Sequence, residues 1–138
     1  TRIDRYEPQM NVVKPNENRD CTSPYAMATL MEKFLTGDVL KPESRNLLIR
    51  WMIDTATGAK RLRAGIPTGW NAGDKTGTMA GHTEIGNKTN DIAVVWPPGR
   101  PPLIVTAFLE SPYRGEDIRD QDQRVLADVG RIAASWLG

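Results

Sequence analysis

The run Leu103-Ile104-Val105-Thr106-Ala107-Phe108-Leu109 is apolar throughout except at Thr106. A strand with one wet face alternates polar and apolar residues, so an unbroken run reads as a strand covered on both faces. Such a strand is expected to have a neighbour on each side. The segment Pro97-Pro98-Gly99-Arg100 precedes it, and Asp91 to Trp96 is rich in β-branched residues, which together predict an antiparallel hairpin. A third strand is expected from Trp70 to Thr78. With 39% hydrophobic and 25% charged residues the chain has enough apolar material for one packed unit and too little charge bias for disorder.

Helical spacing brackets the strands. Thr22 or Ser23 is placed to cap a helix opening at Pro24, with Met27, Leu30, Met31, Phe34 and Leu35 recurring until Gly37. A second helix is predicted from Pro42, with Leu47, Leu48, Trp51 and Met52 on one stripe, ending near Thr57-Gly58 in a left-handed cap. A turn of helix is expected over residues 59–64. The acids Glu116, Asp117, Asp120 and Asp122 mark the start of a last helix. Its apolar face comprises Val125, Leu126, Val129, Ile132, Ala133, Trp136 and Leu137. The fold class is therefore α/β of the α+β type, three antiparallel strands with flanking helices.

Several functions are unsupported by this composition. The net charge is +1 with basic and acidic residues interspersed, so no nucleic-acid face is expected. No run approaches the roughly 20 apolar residues of a membrane-spanning helix, and no membrane partner is expected. Cys21 is the sole cysteine and His82 the sole histidine. Neither a disulfide within the chain, a cysteine-type metal site nor a thiol–imidazole pair follows, and no metal or cofactor is expected.

Chemistry concentrates at two places. Lys75-Thr76-Gly77-Thr78 ends a predicted strand with an ammonium, hydroxyls and a glycine that lets a ligand approach the backbone, a combination suited to an anion. In the irregular opening, Glu7 and Asn11 are four residues apart, so one helical turn directs both side chains toward a shared water. A loop of this length needs a reason to stay ordered. Arg5 with Asp20, and Asp4 with Arg19, are expected to close it by ion pairs.

Taken together, Arg5-Tyr6-Glu7-Pro8-Gln9-Met10-Asn11, Asn18-Arg19-Asp20, Gly65 to Trp70, Gly73-Asp74-Lys75-Thr76-Gly77-Thr78 and Asn90 to Pro97 resemble the class A serine β-lactamases across essentially the whole chain. The resemblance implies the C-terminal part of the β-lactamase/transpeptidase-like fold. Residues 1–21 would be the omega loop, 22–66 a helical segment and 67–138 the sheet strands with the C-terminal helix. It implies Glu7 as the base for deacylation, Asn11 as the positioner of the water, and Lys75, Thr76, Gly77 and Thr78 as the substrate-binding strand, with the Thr78 N–H in the oxyanion hole. Arg61 matches a position where some members carry an arginine that reaches the antibiotic's carboxylate; Arg63 is an equally basic neighbour. His82 and Glu84 would lie in a solvated loop bordering the site.

The sequence also departs from that family. Ser23, Ser44, Ser111 and Ser135 are followed three residues later by Ala26, Leu47, Arg114 and Gly138, so no Ser-x-x-Lys occurs, and Ser-Asp-Asn is absent. The expected partners are a β-lactam antibiotic and an N-terminal half carrying those two motifs, without which residues 103–109 would form an open apolar edge. The resemblance implies a location in the periplasm or outside the cell. A transpeptidase or carboxypeptidase fragment, or a non-catalytic module binding a ligand or partner, are the alternatives.

Overall fold

The computed structural model describes residues 1–137. After a short 3-10 turn at Gln9–Asn11 come two helices, α1 (Pro24–Leu35) and α2 (Pro42–Ile53), and a second 3-10 turn at Leu62–Gly65. Three strands follow, β1 (Asn71–Met79), β2 (Lys88–Trp96) and β3 (Leu103–Glu110), and then helix α3 (Asp120–Ser135). The strands form one antiparallel sheet in the order β1-β2-β3. Among the described residues no helix is long and apolar enough to cross a membrane.

Strand β2 is the centre because its neighbours cover both edges and helices cover both faces. Val94 points to one side, where it packs with Met31 and Leu35 of α1 and Met52 of α2. Ala93 points to the other, against Leu62, Val105 and Ala133. Each such leucine- or valine-sized side chain, fully buried, contributes about 1.5–3 kcal/mol. Ser23 caps α1 by accepting from the Ala26 N–H at 3.1 Å, as the sequence predicts.

Three expectations are corrected. Strand β3 has one strand neighbour, β2, among the described residues, and its apolar run is accounted for by α1 on one face and α3 on the other. Helix α2 stops at Ile53, because Arg63 draws the Thr55 carbonyl at 2.5 Å and the Ile53 carbonyl at 3.4 Å out of the helical path. Gly58 is thus not a left-handed cap; a Cβ there would stand 1.7 Å from Asp74 Oδ2. Finally, the apolar stripes of α2 and α3 are split. Met52, Leu126 and Ala133 are buried, whereas Trp51, Val125, Ile132 and Trp136 lie outside, Trp136 at 78% exposure.

Helix α3 lies unusually close to the 3-10 turn before β1. A Cβ on Gly130 would come within 2.2 Å of the Leu62 carbonyl oxygen, a backbone atom that cannot swing away. Replacing Gly130 with Ala is expected to destabilise the fold by about 1–3 kcal/mol through forced separation of the two elements. A chemical-denaturation midpoint equal to that of the parent would contradict this packing.

Candidate functional site

The opening loop is ordered by a closed set of contacts at its two ends. The Arg2 N–H donates to the Cys21 carbonyl at 2.9 Å, which brings the loop's ends together. Asp20 Oδ1 accepts from the Asp4 and Arg5 amides at 2.6 and 2.9 Å, and Asp20 Oδ2 meets Arg5 Nε at 2.5 Å. The Asp20 amide in turn donates to Asp4 Oδ2 at 3.0 Å. Burial pushes the Asp20 carboxyl up, but the Asp4 amide and the Arg5 guanidinium and amide together outweigh it and hold it at about 2. The Arg5–Asp20 clasp is present as predicted. The Asp4–Arg19 pair is not: Arg2 takes Asp4 at 2.7 Å and Arg19 takes Glu17 at 2.6 Å, because partners two residues away are reached with less loss of chain freedom.

Within this loop the helical turn expected around Glu7 and Asn11 forms, with the Met10 N–H on the Tyr6 carbonyl and the Asn11 N–H on the Pro8 carbonyl, both at 3.1 Å. Both side chains are exposed. Asn11 lines a cleft of about 700 Å³ between the loop and the sheet; Glu7 and Lys75 are not among its lining residues. Across the cleft Lys14 Nζ meets Glu84 Oε2 at 2.6 Å. His82 is half-buried, and its Nδ1 accepts from the Glu84 N–H. Cys21 lines the same cleft as a free thiol, with Sγ donating to the Asn18 carbonyl at 3.0 Å.

Strand register relates the cleft to the predicted anion-binding strand. Gly77 pairs with Asn90, and Asn90 with Phe108; Asn90 and Phe108 both line the cleft. Because side chains alternate, Lys75 shares that face with Asn90 and Phe108. A Cβ on Gly77 would meet nothing nearer than Asn90 Cβ at 3.6 Å, so packing within the chain does not demand a glycine there. Thr76 and Thr78 point to the opposite face. Thr76 Oγ1 hydrogen-bonds Thr57 Oγ1 at 2.9 Å, and Thr78 Oγ1 accepts from Arg61 Nη2 at 2.7 Å. The hydroxyls and the ammonium therefore serve different sides of one strand.

Arg61 and Arg63 are not equivalent. Arg61 is 2% exposed, and Nη1 also donates to the Asn90 and Gly77 carbonyls at 2.7 and 3.3 Å, placing a cation behind the strand end. Arg63 instead forms an ion pair with Asp74. Asp74 and Asp91, both 0% exposed, lie near each other beneath β1 and β2, and among the described residues Asp74 Oδ1 and Oδ2 and Asp91 Oδ1 have no hydrogen-bond partner. Asp91 is pushed up to about 7, first by burial and then by the Asp74 charge, against the opposing pull of the Leu62 N–H and Arg61. Asp74 is also raised, by burial, despite Arg63. Burial likewise lowers Arg61 from its ordinary value.

Sequence reasoning missed this acid pair. Its signal was two aspartates inside strand-forming runs, where that residue is depleted, with two arginines just upstream.

A beta-lactamase enzyme family matches residues 1–137. A beta-lactamase of Citrobacter koseri is 45% identical over 136 residues, and CTX-M-25 of Escherichia coli is 43% identical over 132, covering 99% and 95% of this chain. The chain spans 44% and 42% of those two relatives. Among solved structures, an ancestral class A beta-lactamase superposes with a TM-score of 0.85 at 45% identity, over 99% of this chain and 49% of that one. A beta-lactamase from Xanthomonas campestris gives 0.86 at 42% identity, over 100% of this chain and 49% of that one.

The clasp yields a direct test. With Asp20 at about 2 against an ordinary 3.8, its contribution is complete above about pH 4 and is lost as the pH falls through 2. Replacing Asp20 with Asn removes the charge at all pH values. Hydrogen exchange at the Asp4 and Arg5 amides should then accelerate on the order of tenfold near neutrality. Unchanged protection at those two amides would show that the loop is held by something else.

Proposed function

This chain belongs to the class A β-lactamase family, and on that premise we propose that it supplies the deacylation and substrate-binding parts of a hydrolase that opens the β-lactam ring through a serine acyl-enzyme. The observation that carries this reading is the pair of cations flanking one strand end. Lys75 lies on the cleft-side face, while Arg61 is buried on the other with its guanidinium on Thr78 Oγ1 and the Gly77 carbonyl. A carboxylate at that edge feels both fields, and Arg61, shielded from water, acts through a lower effective dielectric than a surface arginine. Gly77 leaves the backbone open to the ligand.

The serine itself comes, in this reading, from a segment bearing Ser-x-x-Lys and Ser-Asp-Asn that packs over the cleft face and walls in Glu7. Its attack on the lactam carbonyl breaks the C–N bond of the ring amide, the serine proton passes to the departing nitrogen, and an ester to the serine is left. Glu7 then takes a proton from a water held with Asn11, and the resulting hydroxide adds to the ester carbonyl. The Thr78 N–H is one donor to the oxyanion. Collapse expels the serine oxygen, which recovers the proton from Glu7. The site of action is the periplasm or the cell exterior, where the antibiotic's targets lie.

The test uses the full-length gene product with nitrocefin, a chromogenic cephalosporin. The parent should turn over, whereas Glu7→Gln should lower kcat about 100- to 10,000-fold and accumulate a covalent adduct visible by mass spectrometry. Absence of both turnover and adduct in the parent would refute the hydrolase reading. An adduct that persists in the parent would favour a transpeptidase or carboxypeptidase instead, and wild-type deacylation in Glu7→Gln would remove Glu7 from the mechanism.

A further inference from the structure

Asp74 and Asp91 take part in no step of the hydrolysis above, yet both are wholly buried. What they hold is the turn that carries Arg61. Asp91 Oδ2 accepts from the Leu62 N–H at 3.1 Å, and Asp74 forms the ion pair with Arg63. On the other side, the Arg61 N–H donates to the Gly58 carbonyl at 2.9 Å, and Gly58 is seated directly on the Asp74 carboxylate. Arg61 is thereby fixed before and after, and its side chain reaches the Gly77 and Asn90 carbonyls and Thr78 Oγ1.

We propose that Asp91, whose Oδ2 accepts from the Leu62 N–H, is a positioning residue for recognition of the substrate carboxylate, acting through Arg61. The proposal rests on the reading of Arg61 and the Lys75–Thr78 edge as a carboxylate site. Two things follow from the geometry. The acceptor on Asp91 fixes the backbone that aims Arg61, and burial, which raises both acids, favours one proton on the pair, which leaves Arg61 in part unneutralised. With that proton, Arg61, Arg63 and the acid pair sum to one positive charge; without it they sum to zero. The charged groups facing the pair are Arg61 and Arg63 from the turn; Lys75, on the other face of β1, acts on Asp74 only through the strand.

The sign is set by the direction of the shift. Asp91 is raised, so the folded protein holds the proton more tightly than the unfolded chain. The cationic setting is complete at low pH and is lost as the pH rises through about 7.

The experiment measures KM and kcat for nitrocefin, which bears a ring carboxylate, in the full-length gene product from about pH 5.5 to about 8.5. Wild-type KM should rise about fivefold across that range, with no matching change in kcat. Asp91→Asn keeps an acceptor for Leu62 and a donor for Asp74 but does not titrate, so its KM should stay flat. Asp91→Ala should raise KM about tenfold and add nothing further in an Arg61→Ala background.

A KM rise in Asp91→Asn equal to the parent's would overturn the proposal, as would additive effects of Ala at positions 61 and 91. Should Asp91→Ala fail to fold, the Asp91→Asn profile decides. Melting temperature over the same range is the control for a purely structural role: a changed melting profile with an unchanged KM profile also overturns the proposal. Turnover with a flat wild-type KM defeats this inference alone, whereas absence of both turnover and adduct defeats the hydrolase reading beneath it.

Discussion

The buried charges of Asp74, Asp91 and Arg61, with Arg63 beside them, tie the turn before β1 to the sheet. Removing a charge from water costs several kcal/mol per ion even after relaxation, so three buried ionisable groups and a half-buried fourth, Arg63, persist only if each answers another. The sequence meets that condition within a small volume. Arg63 answers Asp74, the Leu62 amide answers Asp91, and carbonyls of β1 and β2 answer Arg61. Burial raises both acids above the usual carboxylate range, which lessens the charge they must carry there. Because the donors and acceptors come from the turn, β1 and β2, meeting the electrostatic requirement and docking the turn onto the sheet are one event. The close approach of α3 at Gly130 then presses the same turn from the far side.

A second polar device works at the other end of the chain by the opposite principle. The opening loop has few apolar anchors, and Ile3 and Tyr6 are exposed. Order comes from closure: one carboxylate, Asp20, with its side chain 1% exposed, receives two successive amides and a guanidinium. Closing a loop of about twenty residues costs only slightly more than closing one of ten, so a compact knot of charge-assisted bonds is sufficient. The loop body is then free to carry polar side chains such as Glu7 and Asn11 that a packed core would reject.

How much of this was legible in the sequence divides along the same line. Three strands, their hairpin order and three helices followed from apolar periodicity and turn residues, and each was displaced by a few residues at most. Two of the errors arose where a tertiary polar contact overrode a local rule. Helix α2 ends early because Arg63 claims its last carbonyls, and Gly58 is required by the Asp74 carboxylate rather than by a cap. Lys75, Thr76, Gly77 and Thr78 were legible as a group, and Arg5 with Asp20 as a clasp. Which of Arg61 and Arg63 lies behind the strand was not, because the choice depends on Asp91 and Asp74, which only the strand register brings together.

That register also accounts for a division of labour within four consecutive residues. Alternation along β1 assigns Lys75 and Gly77 to one face, and Asp74, Thr76 and Thr78 to the other. The first set remains open: Lys75 is exposed, and a side chain on Gly77 would find room. The second set is committed to support, with Thr76 on Thr57, Thr78 on Arg61 and Asp74 on Arg63. An exposed, lightly bonded side chain can thus stand between neighbours in sequence that are locked on both sides. Rigidity at Lys75 is inherited from the backbone that Asp74 and Thr76 hold, while its ammonium donates to the Thr76 carbonyl at 2.6 Å.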